Sequence, residues 1–269
     1  MKAIKNISKE YLKAIRKLTL KKYRESEERF IIEGVHLIEE TIASDWKIES
    51  IVATPQFLEK SAGSRILNRI SDKRIPLYKI SEDELNTITD TVTAQGIAAI
   101  VITKKYKSGE LEVSLPNFSS IVFLDRISDA GNLGTIIRTC DWFGIDAVII
   151  GNDSIELFNP KVIRSTMGSL FNIPIFPIAD SLSIIRKLKK LSFTVFATSL
   201  NGDRIETVNF PKKSVFIFGS EAHGISDTLE NIADRKITIP KYGSAESLNV
   251  AVACGIIIAL YKESDFVSR

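Results

Sequence analysis

Four near-continuous apolar runs constrain this chain more than any other feature: IVFLD (121–125), DAVIIG (146–151), FTVFATSL (193–200) and SVFIFG (214–219). A strand apolar on both sides must be covered on both, which is the pattern of a parallel sheet with helices on each face. Helix-periodic stretches separate the runs: NLGTIIRTCDWFG, KVIRSTMGSLF, SLSIIRKLKKL and a terminal helix from about Ser247. The C-terminal half is therefore expected to be an α/β domain built on a parallel sheet.

The N-terminal part alternates too, on a smaller scale. FIIEG, IESIVAT, PLYKI and GIAAIVI read as strands, and VHLIEETIAS, a segment from about Pro55 and SEDELNTIT as helices. Ahead of them SKEYLKAIRKLTLKK (8–22) predicts one helix, capped by Ser8, with Tyr11, Leu12, Ile15 and Leu18 on one side. Its other face is crowded with Lys and Arg, as a solvated face or an RNA-facing one would be. KKYKSGELEVSLPNFSS lacks apolar periodicity and reads as a connection. The expected division is a small α/β domain over 1–105, a linker over 106–117 and a larger domain over 118–269.

With 269 residues, 44% of them hydrophobic, the chain can bury such cores. Lys+Arg exceed Asp+Glu by 36 to 33, a balance that permits a nucleic-acid partner without singling one out. Cys140 and Cys254 lie in apolar segments and read as core residues of a reducing compartment. MKAIKNISKEY has no apolar stretch of signal-peptide length, and the longest uncharged apolar run, Val250–Tyr261, is too short to span a bilayer. The expectation is a soluble, cytoplasmic protein with no membrane association.

Several chemistries lack their residues. Two histidines and two distant cysteines give no metal-ligand spacing, so no metal is expected. There is no G-x-S-x-G, no G-x-x-x-x-G-K-[ST] and no G-x-G-x-x-G, which removes nucleophile-elbow hydrolases and P-loops and disfavours a nicotinamide-dependent oxidoreductase.

Three other stretches hold the polar residues worth explaining. In LDRISDAGNLGTIIRTCDWFG a strand ends at Asp125, and a helix follows that Asn132 could cap. Arg138 lies on that helix among apolar neighbours, as a structural ion-pair partner or a functional cation. In SVFIFGSEAHGIS, glycines at a strand's carboxyl end permit close approach by a ligand, or simply a tight turn with Glu221 near a helix N-terminus. His223 reads as a loop residue. In IPKYGSAESLNVAVA, Ser247 could cap a helix, or the helix N-terminus could hold a ligand.

Taken in order, Asn-x5-Arg, GSE-x2-G and IP-x6-SLNVAVA resemble the motif set of the SpoU (TrmH-like) RNA ribose 2′-O-methyltransferases of the SPOUT superfamily, over residues 120–262. RESEERFIIEGVHLIEETI and TAQGIAAIV resemble, more loosely, that family's substrate-binding domain. One departure is Ala130 after Asp129, where the family usually has Pro.

The resemblance implies a deep trefoil knot around 219–224 and 239–249, a homodimer, and S-adenosylmethionine as cofactor. The contacts it implies for the cofactor are Thr198, Ser199, Leu200, Gly219, Ser220, Glu221, Gly224, Ile239 and Leu248. It implies methyl transfer to a ribose 2′-hydroxyl, with Arg138 at the oxygen and Asn132, Glu221, Ser247 and Asn249 positioning the groups. RNA contacts would fall to the basic N-terminal helix, Arg126, Lys161 and Arg164. An N-terminal domain favours ribosomal over transfer RNA as the partner. The alternatives are a transfer-RNA 2′-O-methyltransferase and a catalytically silent RNA-binding or ribosome-assembly protein on the same fold.

Overall fold

The computed structural model describes residues 4–71, 73–91, 94–104 and 109–267. The expected boundary at 105/106 and the first three residues of the expected linker lie outside these. The chain forms two compact units, Met1–Lys105 with Phe158–Phe171, and Tyr106–Leu157 with Asn172–Arg269.

In the first unit the elements are β1 (Lys5–Asn6), α1 (Lys9–Lys17), α2 (Lys21–Glu27), β2 (Arg29–Glu33), α3 (Val35–Ala43), β3 (Ile48–Ala53), α4 (Pro55–Leu58), α5 (Ser61–Ser71), β4 (Leu77–Lys79), α6 (Glu82–Asn86) and β5 (Ile97–Ile102). The sheet order is β1-β4-β3-β5-β2, with β5 antiparallel to both neighbours and the remainder parallel. Ser8 caps α1 by accepting from the Tyr11 N–H at 3.1 Å, and Leu12, Ile15 and Leu18 pack on Val52, Ala98 and Ile100.

The single helix expected over 8–22 is broken. Thr19 Oγ1 donates to the Arg16 carbonyl, and the buried Arg24 guanidinium donates to the carbonyls of Leu18 and Thr19 at 3.0 and 2.9 Å. Those side chains satisfy carbonyls at the end of α1 and just beyond it, so the helix ends without a glycine.

The second alternation runs α7 (Glu110–Ser114), β6 (Ser120–Asp125), α8 (Ala130–Trp142), β7 (Ala147–Ile150), α9 (Pro160–Thr166), β8 (Ile175–Pro177), α10 (Ser181–Lys190), β9 (Thr194–Arg204), β10 (Ser214–Gly219), α11 (Asp227–Ile232), β11 (Arg235–Thr238) and α12 (Val250–Val267). Two differences from the sequence reading have identifiable packing causes. Residues 110–117 are helical: Leu111 and Leu115, four apart and so on one face, are buried against Ile121 and Phe123. Residues 158–171, with α9, belong to the first unit. The Phe158 ring stacks on Phe30 at 4.7 Å, and Phe171 meets Trp46 edge-on at 5.5 Å. Chain order gave no hint of contacts so distant in sequence.

All six strands of the second unit are parallel, in the order β11-β9-β10-β6-β7-β8. The chain builds outward from β6 through β7 to β8, then crosses to β9 and inserts β10 beside β6. The winding direction thus reverses between β6 and β10, the place where open α/β sheets bind ligands. Gly219 pairs directly with Asp125, so the loops after both strands leave from neighbouring points on one edge. Helices α8 and α12 pack together, and the fully buried Cys140 and Cys254 meet between them. Burial, with the Cys254 thiol alongside, pushes the Cys140 thiol well up, which keeps it a neutral packing group.

Candidate functional site

Three loops converge at this edge of the second unit, and side-chain amides join them. Asn132 Nδ2 donates to Glu221 Oε1 at 2.8 Å. Asn249 Nδ2 donates to the same carboxylate oxygen at 2.8 Å and to Asn132 Oδ1 at 2.9 Å. Residues from α8, the β10 loop and the start of α12 thus form one closed ring of hydrogen bonds.

The two helix starts differ from the sequence reading in a way that frees Asn132 for this role. Asp129 caps α8, its Oδ1 accepting from the Asn132 N–H at 2.8 Å, so Asn132 sits inside the first turn. Ser247 does not cap α12. Asn249 does, with Oδ1 accepting from the N–H groups of Ala251 and Val252 at 3.0 and 3.3 Å. A carboxylate held against both starts lies where helix N-termini favour negative charge.

The loop that presents Glu221 is stiff. Ser220 and Gly224 exchange main-chain hydrogen bonds at 2.8 and 3.1 Å, and the His223 N–H donates to Ser220 Oγ. Buried Asp125, whose role the sequence reading missed, accepts from the Ser226 N–H at 2.7 Å. Its signal was available, since an Asp that ends an apolar strand needs donors once buried. Arg126 holds a left-handed backbone, φ 59°. Its side chain lies 3.5 Å from Asp125 and donates to the Gly224 carbonyl at 3.4 Å, so it is engaged with this loop.

Arg138 lies almost two turns beyond Asn132 on α8, about 9 Å along the axis. It is exposed and makes no hydrogen bond or ion pair with any described residue. An exposed arginine without a described partner, on the helix that carries Asn132, is available to a ligand. The other predicted RNA contacts are elsewhere: Lys161 is exposed on α9, and Arg164 ion-pairs with Asp90 at 3.4 Å, both in the first unit.

The predicted cofactor contacts gather at the same edge. Pairing of β9 with β10 stops at Ala197; Thr198, Ser199 and Leu200 continue β9 in the stretch between its two registers with β11. Thr198 Oγ1 donates to the Ile217 carbonyl at 2.9 Å, and Thr238 Oγ1 to the Leu200 carbonyl at 3.3 Å. Beyond the half-buried Ile239, residues 241–248 are all exposed and form no main-chain hydrogen bond with one another or with any other described residue. Ser247 is among them. Exposed Leu200 and Leu248 set apolar surface beside these open N–H and C=O groups. A flat heterocycle with polar edges, such as adenine, fits that donor set.

Comparisons with known proteins assign both parts of the chain to families. Residues 119–259 match the SpoU rRNA methylase family, and residues 9–99 match the MRM3-like substrate binding domain. A Bacillus subtilis relative, 23S rRNA (guanosine(2553)-2′-O)-methyltransferase RlmP, is 34% identical over 96% of this chain and 98% of its own. The Neisseria meningitidis 23S rRNA (guanosine-2′-O-)-methyltransferase RlmB is 27% identical over 72% of this chain and 79% of its own. Among solved structures, the AdoMet-bound rRNA methyltransferase from Sinorhizobium meliloti superimposes with a TM-score of 0.82, at 30% identity and 97% coverage of both chains. With its motifs, its parallel sheet and a match across more than half its length, the chain belongs to the SpoU rRNA methylase family.

Proposed function

We propose that this protein transfers a methyl group from S-adenosylmethionine to a ribose 2′-hydroxyl of ribosomal RNA. The observation that carries the reading is the ring of Asn132, Glu221 and Asn249, with unpartnered Arg138 on the same helix as Asn132. When bound, S-adenosylmethionine supplies a methyl on a sulfonium centre, already a good leaving group. The residues would hold it through the main chain of Gly219, Ser220, Ile239 and Leu248, at the edge formed by Thr198–Leu200.

What remains for the protein is alignment and charge. The guanidinium of Arg138 stays protonated, so its role is to donate hydrogen bonds to the 2′-oxygen as negative charge develops, and to a neighbouring phosphate that can share the proton. The ring fixes α8 against α12 and the β10 loop, which holds Arg138, the ribose and the methionine end of the cofactor in register. We read residues 219–224 and 239–249 as forming a deep trefoil knot, a reading supported by the hydrogen bond that ties Asn249 to Glu221. We also read the protein as a homodimer. Trp142 on α8 and Val252 on α12 are 84% and 51% exposed, the apolar surface that such a contact would cover. Ile257, Ile258 and Cys254 are buried within the protomer and are not part of that surface. Among the described residues, no helix is long and apolar enough to cross a membrane. We read the enzyme as cytoplasmic, in keeping with a ribosomal substrate.

The first test is transfer of labelled methyl to separated ribosomal and transfer RNA, followed by nuclease mapping. Label in ribosomal RNA at a ribose 2′-oxygen is the expected result, with guanosine the first acceptor to examine because both curated relatives name it. Label only in transfer RNA would reassign the substrate, and none in any RNA, precursor particles included, would favour a silent RNA-binding protein.

Asn249 separates two roles of one side chain. Asn249→Ala removes the α12 cap and should cost about 1 kcal/mol, lowering Tm by roughly 2–4 °C. Asn249→Asp keeps a capping oxygen but sets a second carboxylate beside Glu221. It should melt above the alanine variant while losing turnover at least as severely. Equal melting of the two variants would show that the cap contributes nothing.

A further inference from the structure

A cavity of about 430 Å³ lies within the first unit, between the end of α1, strand β2, the residues after α6 and the start of α9. Apolar Ile32, Leu37 and Ile163 line it together with charged Arg24, Glu33 and Arg164. That volume falls in the range of sites for small ligands. The Arg24 guanidinium is already engaged in ending α1. Arg164 pairs with Asp90 at 3.4 Å and its charge also acts on Glu33; the Asp90 side chain is 72% exposed, so that pair is weak and can be exchanged.

Glu33 is the unusual member. Its Oε1 accepts from the Thr91 hydroxyl, whereas Oε2 is buried and has no partner among the described residues. Burial pushes the Glu33 carboxyl up from its ordinary value and outweighs the Thr91 hydroxyl, the Arg164 charge and the Asp90 backbone, which pull the other way. A buried carboxylate oxygen without a donor is costly, and a ligand with N–H groups would relieve it.

Resting on the methyltransferase reading above, we propose that this cavity receives an unstacked guanine of the RNA, from a nucleotide other than the methyl acceptor. Guanine carries two adjacent N–H donors, at N1 and N2, that match a carboxylate. Beside them, O6 and N7 accept hydrogen bonds of the kind arginine makes. Uracil offers a single imino N–H, and adenine has no carbonyl oxygen for Arg164. Splayed bases read along such edges are the usual basis of sequence-specific RNA recognition. Glu33 would then be a specificity residue for the substrate, acting far from the methyl-transfer ring in sequence and contacting neither cofactor nor ribose acceptor.

Glu33→Gln in the full-length protein tests this, because it preserves shape and replaces one acceptor oxygen by an amide donor. KM for ribosomal RNA should rise by about ten- to a hundredfold, with kcat at saturating RNA, S-adenosylmethionine affinity and Tm unchanged. In calorimetry, 5′-GMP should bind the wild type and bind the variant at least about tenfold more weakly, while 5′-AMP binds neither. An unchanged KM, or equal binding of 5′-GMP and 5′-AMP, would overturn the proposal. So would a fall in Tm that accompanies the loss of RNA affinity, since the carboxylate would then be structural. If the wild type methylates no RNA, it is the methyltransferase reading that fails, and the mononucleotide binding still decides the cavity.

Discussion

Replacing Arg138 by Ala should slow methyl transfer by about 10²–10³-fold, the usual loss when one donor is removed from a developing oxyanion. Cofactor binding and Tm should stay at wild-type values, because the side chain is exposed and holds no described residue in place. A surface substitution of that kind ordinarily changes stability by no more than about 0.5 kcal/mol. Arg138→Lys keeps the charge but not the planar fork that grips a phosphate and an oxygen together, and so should recover only a small part of the rate. Single-turnover transfer, isothermal cofactor binding and a thermal melt on each variant separate these effects. Should Arg138→Ala turn over almost normally while Asn132→Ala is dead, the transition-state contact belongs to Asn132 instead.

Gly219→Ala should be the most damaging single methyl in the second unit. A Cβ at this position would lie 2.1 Å from the Gly224 carbonyl carbon, 2.2 Å from the Ile225 nitrogen and 2.3 Å from the Gly224 oxygen. All three are main-chain atoms, so no rotamer change relieves the clash. Nor can the strand retreat, since β10 is paired along its length with β6, Gly219 with Asp125 included. The loop must move instead, and with it go the Asp125–Ser226 bond and the anchoring of Glu221. A cost of about 3 kcal/mol, at the upper end for overpacking, lowers Tm by roughly 6–12 °C. Cofactor affinity should fall by more than about a hundredfold, since a displacement of this size removes several main-chain contacts together. Gly224→Ala is the control. Nothing lies within 4 Å of its Cβ position, so only its left-handed backbone, φ 63°, opposes the change, at about 1–2 kcal/mol. If both alanines behave alike, the close approach at Gly219 is not what shapes the loop.

The site was legible in part. Apolar runs and their spacing were enough for the parallel sheet, and the resemblance of the polar stretches between them to the SpoU motifs pointed to Asn132, Glu221, Arg138 and Asn249. Their pairing was not legible. Asn132 and Asn249 each have an ordinary local use as a helix cap, and nothing local says that Asp129 takes the first cap while Asn249 caps and bridges at once. Ser247 was the stronger local signal for the second cap and does not serve as one. Arg138, read among apolar neighbours as a residue in need of a partner, turned out to face outward.

By itself, then, the sequence determined what depends on near neighbours: strand and helix periodicity, the α/β class, and the order of the motifs along the chain. Tertiary structure alone decided what depends on closure across long separations. Residues 132, 221 and 249 are 89 and 28 positions apart and share one carboxylate oxygen, because β10 inserts beside β6 and brings two loops to one edge. The capture of residues 158–171 by the first unit has the same origin. Phe158 lies over Phe30 because both needed an apolar neighbour, and such burial is indifferent to distance along the chain.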